Sequence, residues 1–302
     1  VRQTFANALN VRPDEIEFLG EVDLGFQLGI AGLLKPESKL YYSKIDRQKV
    51  YAVAANEQNL GRSTTCLSVN GDGEIADFTC DTNDVICWQV ANGESGNLQK
   101  VLKNQALTFA DCTASGVDHL PQFDYQTALF DSSSWQGPAG FGVLVIRSAE
   151  KWRNPLPHND LSRTPGTFSI PLALASSVAL ENHLKEGDIR SKLKQEIITF
   201  IKSEIAEVDI ASTPDGLAKF ISFSIKGIEA DRALLALEEL GFAVDSGSAC
   251  KSADMQPSHV LAAMGRPVAG NIRLTIHKDI TEKMVKDFCQ ALKSTVASLR
   301  KN

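Results

Sequence analysis

From position 189 onward the spacing of apolar residues is regular. Ile189, Leu193, Ile197 and Ile201 recur every four residues, which predicts one apolar stripe on a helix running to about Ile205. In FISFSIK, Ile221, Phe223 and Ile225 alternate with Ser222 and Ser224, the pattern of a strand buried on one face. A second helix is predicted over 230–240 and stops at Gly241. A third is predicted over 257–264, opened by Pro257 and ended by Gly265 and Pro267. In NIRLTIH the apolar Ile272, Leu274 and Ile276 share a face, so Arg273 points the other way. Asp279 and Glu282 stand at capping-box spacing, with Asp279 as the cap, and open a last helix to the C-terminus. These elements predict a small α+β domain over 187–302.

The first part of the chain, 1–186, has a different texture. Short β-rich runs such as KLYYSKI, DVICWQV, ALTFADCT, TALFDSSS and GFGVLVIR alternate with helical patterns, which predicts an α/β domain around a largely parallel sheet. Ligands of such sheets sit where strands end and loops begin. Asp111, just after ALTFA, and the DSSSWQGPAG loop are therefore positions of interest.

Composition narrows the classes of partner. The net charge of −6 and the absence of any Lys/Arg cluster argue against nucleic acid. No apolar run approaches the roughly 20 residues that cross a bilayer, and VRQTFANALNVRPDE does not read as a signal peptide. The expectation is a cytoplasmic protein whose partners are small molecules or other proteins. Cys66, Cys80, Cys87, Cys112, Cys250 and Cys289 form no C-x-x-C pair and have no histidine at zinc spacing, so no structural metal is expected.

Three residues stand out for chemistry. Cys250 follows SGSA, whose small residues allow a close backbone approach, and Lys251 beside it favours a thiolate; the alternative is a small buried filler. Arg273 has the planar fork that grips a carboxylate, or forms a surface salt bridge. Asp111 at a strand end suits a cationic ring nitrogen, a metal, or the capping of the next turn. His119, His158, His183, His259 and His277 join no motif with a nucleophile.

Several segments together resemble one family. SGSACKSADMQPSHVLAAMG resembles the active-cysteine segment of the cysteine desulfurases, in the class V aminotransferase superfamily, and NIRLTIHKDIT follows at the family's distance. DEIEFLGEVDLGFQLGI, VANGESGNLQ, LTFADCTASG, GPAGFGVLVIR and RTPGTFSIPLALASSVALE extend the resemblance in family order over nearly the whole chain. The resemblance implies a PLP-transferase fold: a large α/β domain with a mixed, mostly parallel seven-stranded sheet, a small C-terminal α+β domain, and a homodimer. It implies pyridoxal phosphate (PLP) held by a lysine as a Schiff base, and a loop cysteine that takes sulfur from the substrate as a persulfide. By resemblance Cys250 matches that cysteine, Arg273 the arginine that binds the substrate carboxylate, and Asp111 the aspartate under the pyridine nitrogen. Thr167 matches the threonine that reaches the phosphate across the dimer, and Asn92 the first asparagine of the NNEIG motif. The family's opening arm and first helix have no counterpart before Val1, so a shortened N-terminus is expected.

Departures from the family pattern cluster around the cofactor. Ser134 stands at the Schiff-base lysine and Ser133 at the histidine beside it. Asp23 replaces a phosphate-binding threonine and Asp131 a phosphate-binding serine. Arg47 takes the place of the histidine stacked on the ring, Ala114 that of a glutamine and Gly93 that of the second asparagine. A serine forms no Schiff base, and two carboxylates facing a phosphate dianion repel it. The expectation is a pseudoenzyme without PLP, a binding or accessory subunit of sulfur or iron-sulfur metabolism, with persulfide relay at Cys250 from a partner. Its partner in the dimer is a second copy or an intact paralogue, and a sulfur-acceptor protein is a further expected partner. Two alternatives stand beside it: a working PLP enzyme that uses Lys44 or Lys49, and a small-molecule binder whose acidic cleft is made by Asp23, Asp111 and Asp131.

Overall fold

Apolar runs of four or five residues in the first part of the chain pair into a single sheet. In the computed structural model, which describes residues 1–103, 105–157, 163–164, 166–185, 187–246 and 257–301, the chain forms two units. The first comprises 1–68, 75–91 and 99–186; the second comprises 69–74, 92–98 and 187–302. Two short segments of the N-terminal part thus belong to the second unit.

The first unit runs α1 (Arg2–Leu9), β1 (Ile16–Leu19), α2 (Val22–Ala31), β2 (Leu40–Ser43), α3 (Gln48–Asn59), β3 (Thr64–Leu67), β4 (Val85–Gln89), β5 (Leu107–Asp111), β6 (Thr127–Asp131), β7 (Gly142–Ile146) and α4 (Ile170–Lys185). The seven strands lie in the order β1-β7-β6-β5-β4-β2-β3. β3, β2, β4, β5 and β6 are mutually parallel, and β7 runs antiparallel to both β1 and β6. The sheet is therefore mixed and mostly parallel. Gln89 lies opposite Asp111, and Asp111 opposite Leu129, so the C-terminal ends of β4, β5 and β6 share one edge.

Each face of the sheet has its own apolar cluster. Leu28 and Ile30 of α2 and Val50 and Val53 of α3 bury Val85, Cys87, Leu107 and Phe109 on one side. Phe5 and Leu9 of α1 and Ala173 and Leu180 of α4 bury Ala110, Ala128, Phe130, Val143 and Val145 on the other. Gly25 shows how closely α2 is seated: a Cβ there would stand 2.3 Å from Leu129 Cδ1. This seating brings the N-terminus of α2 to the same edge as Asp111.

Strand–helix alternation holds from β1 to β3 and then fails. Among the described residues no helix joins β3 to β4, β4 to β5 or β5 to β6. The first of these connections, NGDGEIADFTCDTND, is rich in turn formers, and Asn70 Oδ1 accepts the N–H groups of Asp72 and Glu74 to close a local turn.

The second unit runs α5 (Arg190–Glu204), β8 (Val208–Ile210), β9 (Phe220–Ile225), α6 (Ala230–Glu239), α7 (His259–Ala263), β10 (Asn271–Thr275) and α8 (Glu282–Leu299). The strands form an antiparallel sheet, β10-β9-β8, and Ile221, Phe223, Ile225, Ile272 and Leu274 join the apolar stripes of α5, α6 and α8 in one core. Two helix starts differ from expectation. Thr281, not Asp279, caps α8, because its hydroxyl accepts Met284 N–H at 3.3 Å. Ser258 caps α7 through Leu261 N–H at 3.1 Å, which leaves Pro257 outside the helix it was expected to open. In both, a hydroxyl closer to the first turn takes the orphan amide.

A buried lysine holds one loop of this unit. Lys194 of α5, 3% exposed, donates to the carbonyls of Thr213 at 2.9 Å and of Gly216 and Leu217 at 3.2 Å. Burial lowers its pKa to about 8, against a smaller opposing pull from Asp215. The same loop clasps 92–98: Leu217 N–H donates to Gly96 O, Thr213 N–H to Asn97 Oδ1, and Ser212 Oγ to Ser95 O.

Candidate functional site

The C-terminal edge of the large sheet collects the polar groups that the sequence singles out. Asp111, the last residue of β5, is 2% exposed. Its Oδ1 accepts Thr113 N–H at 2.9 Å and Thr113 Oγ1–H at 2.6 Å, so it caps the following turn. Its Oδ2 accepts Gln89 Nε2–H at 3.5 Å and lies 3.7 Å from Arg47 Nε. One carboxylate therefore both closes a turn and holds an ion pair.

Arg47 sits immediately before α3, with extended backbone, and its carbonyl accepts Val50 N–H at 2.9 Å. Its side chain is about two-fifths exposed and reaches inward to the buried carboxylate. Next to it, Asp46 is 1% exposed and accepts Ser43 N–H at 2.7 Å. Burial pushes Asp46 up to about 8, the Ser43 amide opposes this, and the charge of Asp111 adds to the rise. Asp46, Gln89 and Thr113 were not singled out from sequence. D-C-T after a strand is a legible Asx-turn signal, whereas Asp46 in SKIDRQ reads as ordinary loop polarity.

The turn after β6 carries the serines. Asp131 ends β6 and its Oδ1 accepts Ser133 N–H at 2.9 Å, while Ser134 Oγ donates to Asp131 O at 2.7 Å. Ser134 also packs on Gly116, whose φ is +56° and where an added Cβ would lie 2.2 Å from Ser134 Oγ. The turn is fixed from below by Trp135. That fully buried ring packs against Phe5 and donates to Ser176 Oγ at 3.2 Å. Ala114 is buried in the loop after β5. Asp111, the turn after it, Ser134 and Asp131 thus form one continuous set of contacts.

Asp23 lies in the first turn of α2 and pairs with Lys49 of α3, Nζ to Oδ2, at 2.7 Å. The hydrogen bond and charge of Asp23 raise the Lys49 pKa above its ordinary value. Lys44 is exposed. Thr167 is exposed in the extended segment before α4.

The remaining sequence candidates belong to the second unit. Asn92 Oδ1 accepts the N–H groups of Glu94 and Ser95, both at 2.9 Å, and so shapes its own loop. Arg273 projects from β10 and pairs with Asp245, whose backbone also pairs with its own. The arginine thus makes a salt bridge in this structure. Cys250 lies outside the described residues.

Cys87 and Cys112, on either side of Asp111, have thiol pKa values raised by burial first and by neighbouring carboxylates second. They are inert thiols of the core. Among the described residues, no cluster of three or more His, Cys, Asp or Glu is placed to hold a metal. None of the described helices is long and apolar enough to cross a membrane.

Comparison with known proteins agrees with this architecture. The family model described as aminotransferase class-V matches residues 1–288. The chain belongs to the aminotransferase class-V family. A cysteine desulfurase of Trichormus azollae is 27% identical, aligned over 99% of this chain and 82% of its own length. The cysteine desulfurase IscS of Clostridium botulinum strain Hall is 26% identical over 99% of this chain and 83% of its own. Among solved structures, a NifS-like protein superposes with a TM-score of 0.83 at 20% identity, over 98% of this chain and 86% of that one. The apo cysteine desulfurase of Thermococcus onnurineus NA1 gives 0.82 at 17% identity, over 98% and 83%. These structures establish the fold, a PLP-transferase-type mixed sheet, and the family model establishes the family.

Proposed function

We propose that this class-V aminotransferase-family chain is a pseudoenzyme of the cysteine desulfurase type, a dimeric binding or accessory protein of sulfur metabolism without PLP catalysis. The observation that carries this reading is the state of Ser134. It stands where the resemblance puts the Schiff-base lysine, its hydroxyl is bonded to Asp131 O, and its side chain is packed on Gly116. Nothing at that point can condense with an aldehyde. Lys49, the neighbouring amine with a charged partner, is held as an ammonium by Asp23, whereas imine formation needs a neutral amine. The residues present do not fit PLP.

The proposed dimer is supported by α4. Ile170, Leu174 and Val178, spaced four apart, are 66%, 51% and 58% exposed, and Phe168 just before the helix is 37% exposed. Such a stripe on a unit that already has two full cores is what an interface between copies needs.

One experiment tests both parts. Purified protein is incubated with PLP, reduced with borohydride and weighed by native mass spectrometry. The expected species is a dimer of the 32.8-kDa chain without a stoichiometric adduct. A single lysine labelled one-to-one overturns the pseudoenzyme reading, and a monomer, or a dimer formed only with another protein, overturns the homodimer.

A further inference from the structure

The loss of one lysine is the simplest account of an inactive relative. It predicts that returning the lysine returns the cofactor. The charges at the edge of the sheet argue otherwise.

PLP brings two charged features to any site that holds it: a ring nitrogen that can carry a proton, and a phosphate dianion. A carboxylate is a partner for the first only if no protein cation already neutralises it. Asp111 is nearly fully buried, and Arg47 Nε stands 3.7 Å from its Oδ2. The remaining oxygen is taken by Thr113 through two hydrogen bonds. The backbone of Arg47, at the start of α3, anchors the residue beside this edge. A protonated ring nitrogen here would meet a neutralised acid and a neighbouring guanidinium.

The phosphate fares no better. Asp23, in the first turn of α2, and Asp131, at the end of β6, put carboxylates where the resemblance has hydroxyls. Asp131 accepts Ser133 N–H, an amide that would otherwise be offered to an anion. Asp23 is matched with Lys49 at 2.7 Å. The same edge thus carries two internal ion pairs, Arg47 with Asp111 and Lys49 with Asp23, and each of these two acids has its cation within the fold.

We propose that this unit refuses PLP by charge: Arg47 serves as the resident counter-ion of Asp111, Asp131 repels the phosphate, and Asp23, tied to Lys49, offers it no donor, so a lysine at position 134 is not sufficient to hold the cofactor. The inference rests on the pseudoenzyme reading and adds its cause. Removing one like-charge contact at short range in a half-buried site changes occupancy by a factor on the order of ten.

The test compares four proteins under one PLP concentration: wild type, Ser134→Lys, Ser134→Lys with Arg47→His, and Ser134→Lys with Arg47→His, Asp23→Thr and Asp131→Ser. Labelling at position 134 is read by borohydride trapping and peptide mass mapping, and folding by far-UV circular dichroism and the midpoint of urea unfolding. Ser134→Lys alone is expected to be no more labelled at position 134 than at another surface lysine. The double variant rises about ten-fold above it, and the quadruple variant rises further. Stoichiometric labelling of Ser134→Lys alone at position 134 overturns the inference while the pseudoenzyme reading stands. A folded double variant, with α2 and β6 unaltered, that labels no better than Ser134→Lys also overturns it. Stoichiometric labelling of the wild-type chain at any lysine overturns the reading beneath it.

Discussion

Gly270→Ala is expected to destabilise the second unit by about 3 kcal/mol, because steric overlap adds to backbone strain. Gly270 has φ of +65°, in the left-handed region that an alanine enters only at a cost. A Cβ there would lie 2.2 Å from Ile225 O and 2.9 Å from Ile228 O. Both obstacles are backbone carbonyls at or just beyond the end of β9, the central strand of the small sheet, so no side chain can rotate out of the way. The glycine also accepts Ile225 N–H at 3.0 Å through its own carbonyl, which ties the position to the ladder. Urea unfolding followed by circular dichroism measures the effect. A variant within about 0.5 kcal/mol of wild type would mean that this turn rearranges easily and that the close approach is not essential.

Asp46→Asn is expected to work in the opposite direction. The folded chain holds a proton on Asp46 up to about pH 8, while the unfolded chain releases it near the ordinary value of 3.8. Between those limits the native state binds more protons, so this residue's contribution to stability falls as pH rises from about 4 to 8. Asparagine keeps an acceptor for Ser43 N–H and carries no charge beside Asp111. The variant is expected to gain about 2 kcal/mol at pH 8, with little change at pH 4, and to lose the slope between. Denaturant midpoints across that range check this. Equal slopes in the two proteins would contradict the buried, proton-holding state of Asp46.

The small unit was the more legible part of the chain because its strands alternate strictly and its helices keep one stripe. Ile221, Phe223, Ile225, Ile272 and Leu274 all enter the expected core. The misplaced helix starts have a common cause. Asp279 and Pro257 are good openers by residue type, but Thr281 and Ser258 lie where a side-chain oxygen reaches the first free amide. In the large unit the strands were legible as apolar runs, and the missing crossover helices were not, since a connection is defined by what it packs against.

The site divides in the same way. Asp111, Arg47, Asp23, Asp131 and Ser134 were marked by comparison of motifs, and the structure brings them to one sheet edge or to the elements that begin there. Their pairing was not legible. The Arg47–Asp111 and Lys49–Asp23 pairs join residues 64 and 26 positions apart, and no spacing rule links a helix start to a distant strand end. Burial of Asp46 follows from the closure of β2 against its neighbours, so a polar residue within an ordinary loop carries no sign of it.

The most direct test of the central claim is turnover. The purified chain is incubated with cysteine and PLP, and alanine is quantified against free PLP alone and against a cysteine desulfurase of the family. Alanine is expected at the free-PLP background. Alanine formed catalytically above that background, and lost when a lysine of this chain is substituted, would contradict it.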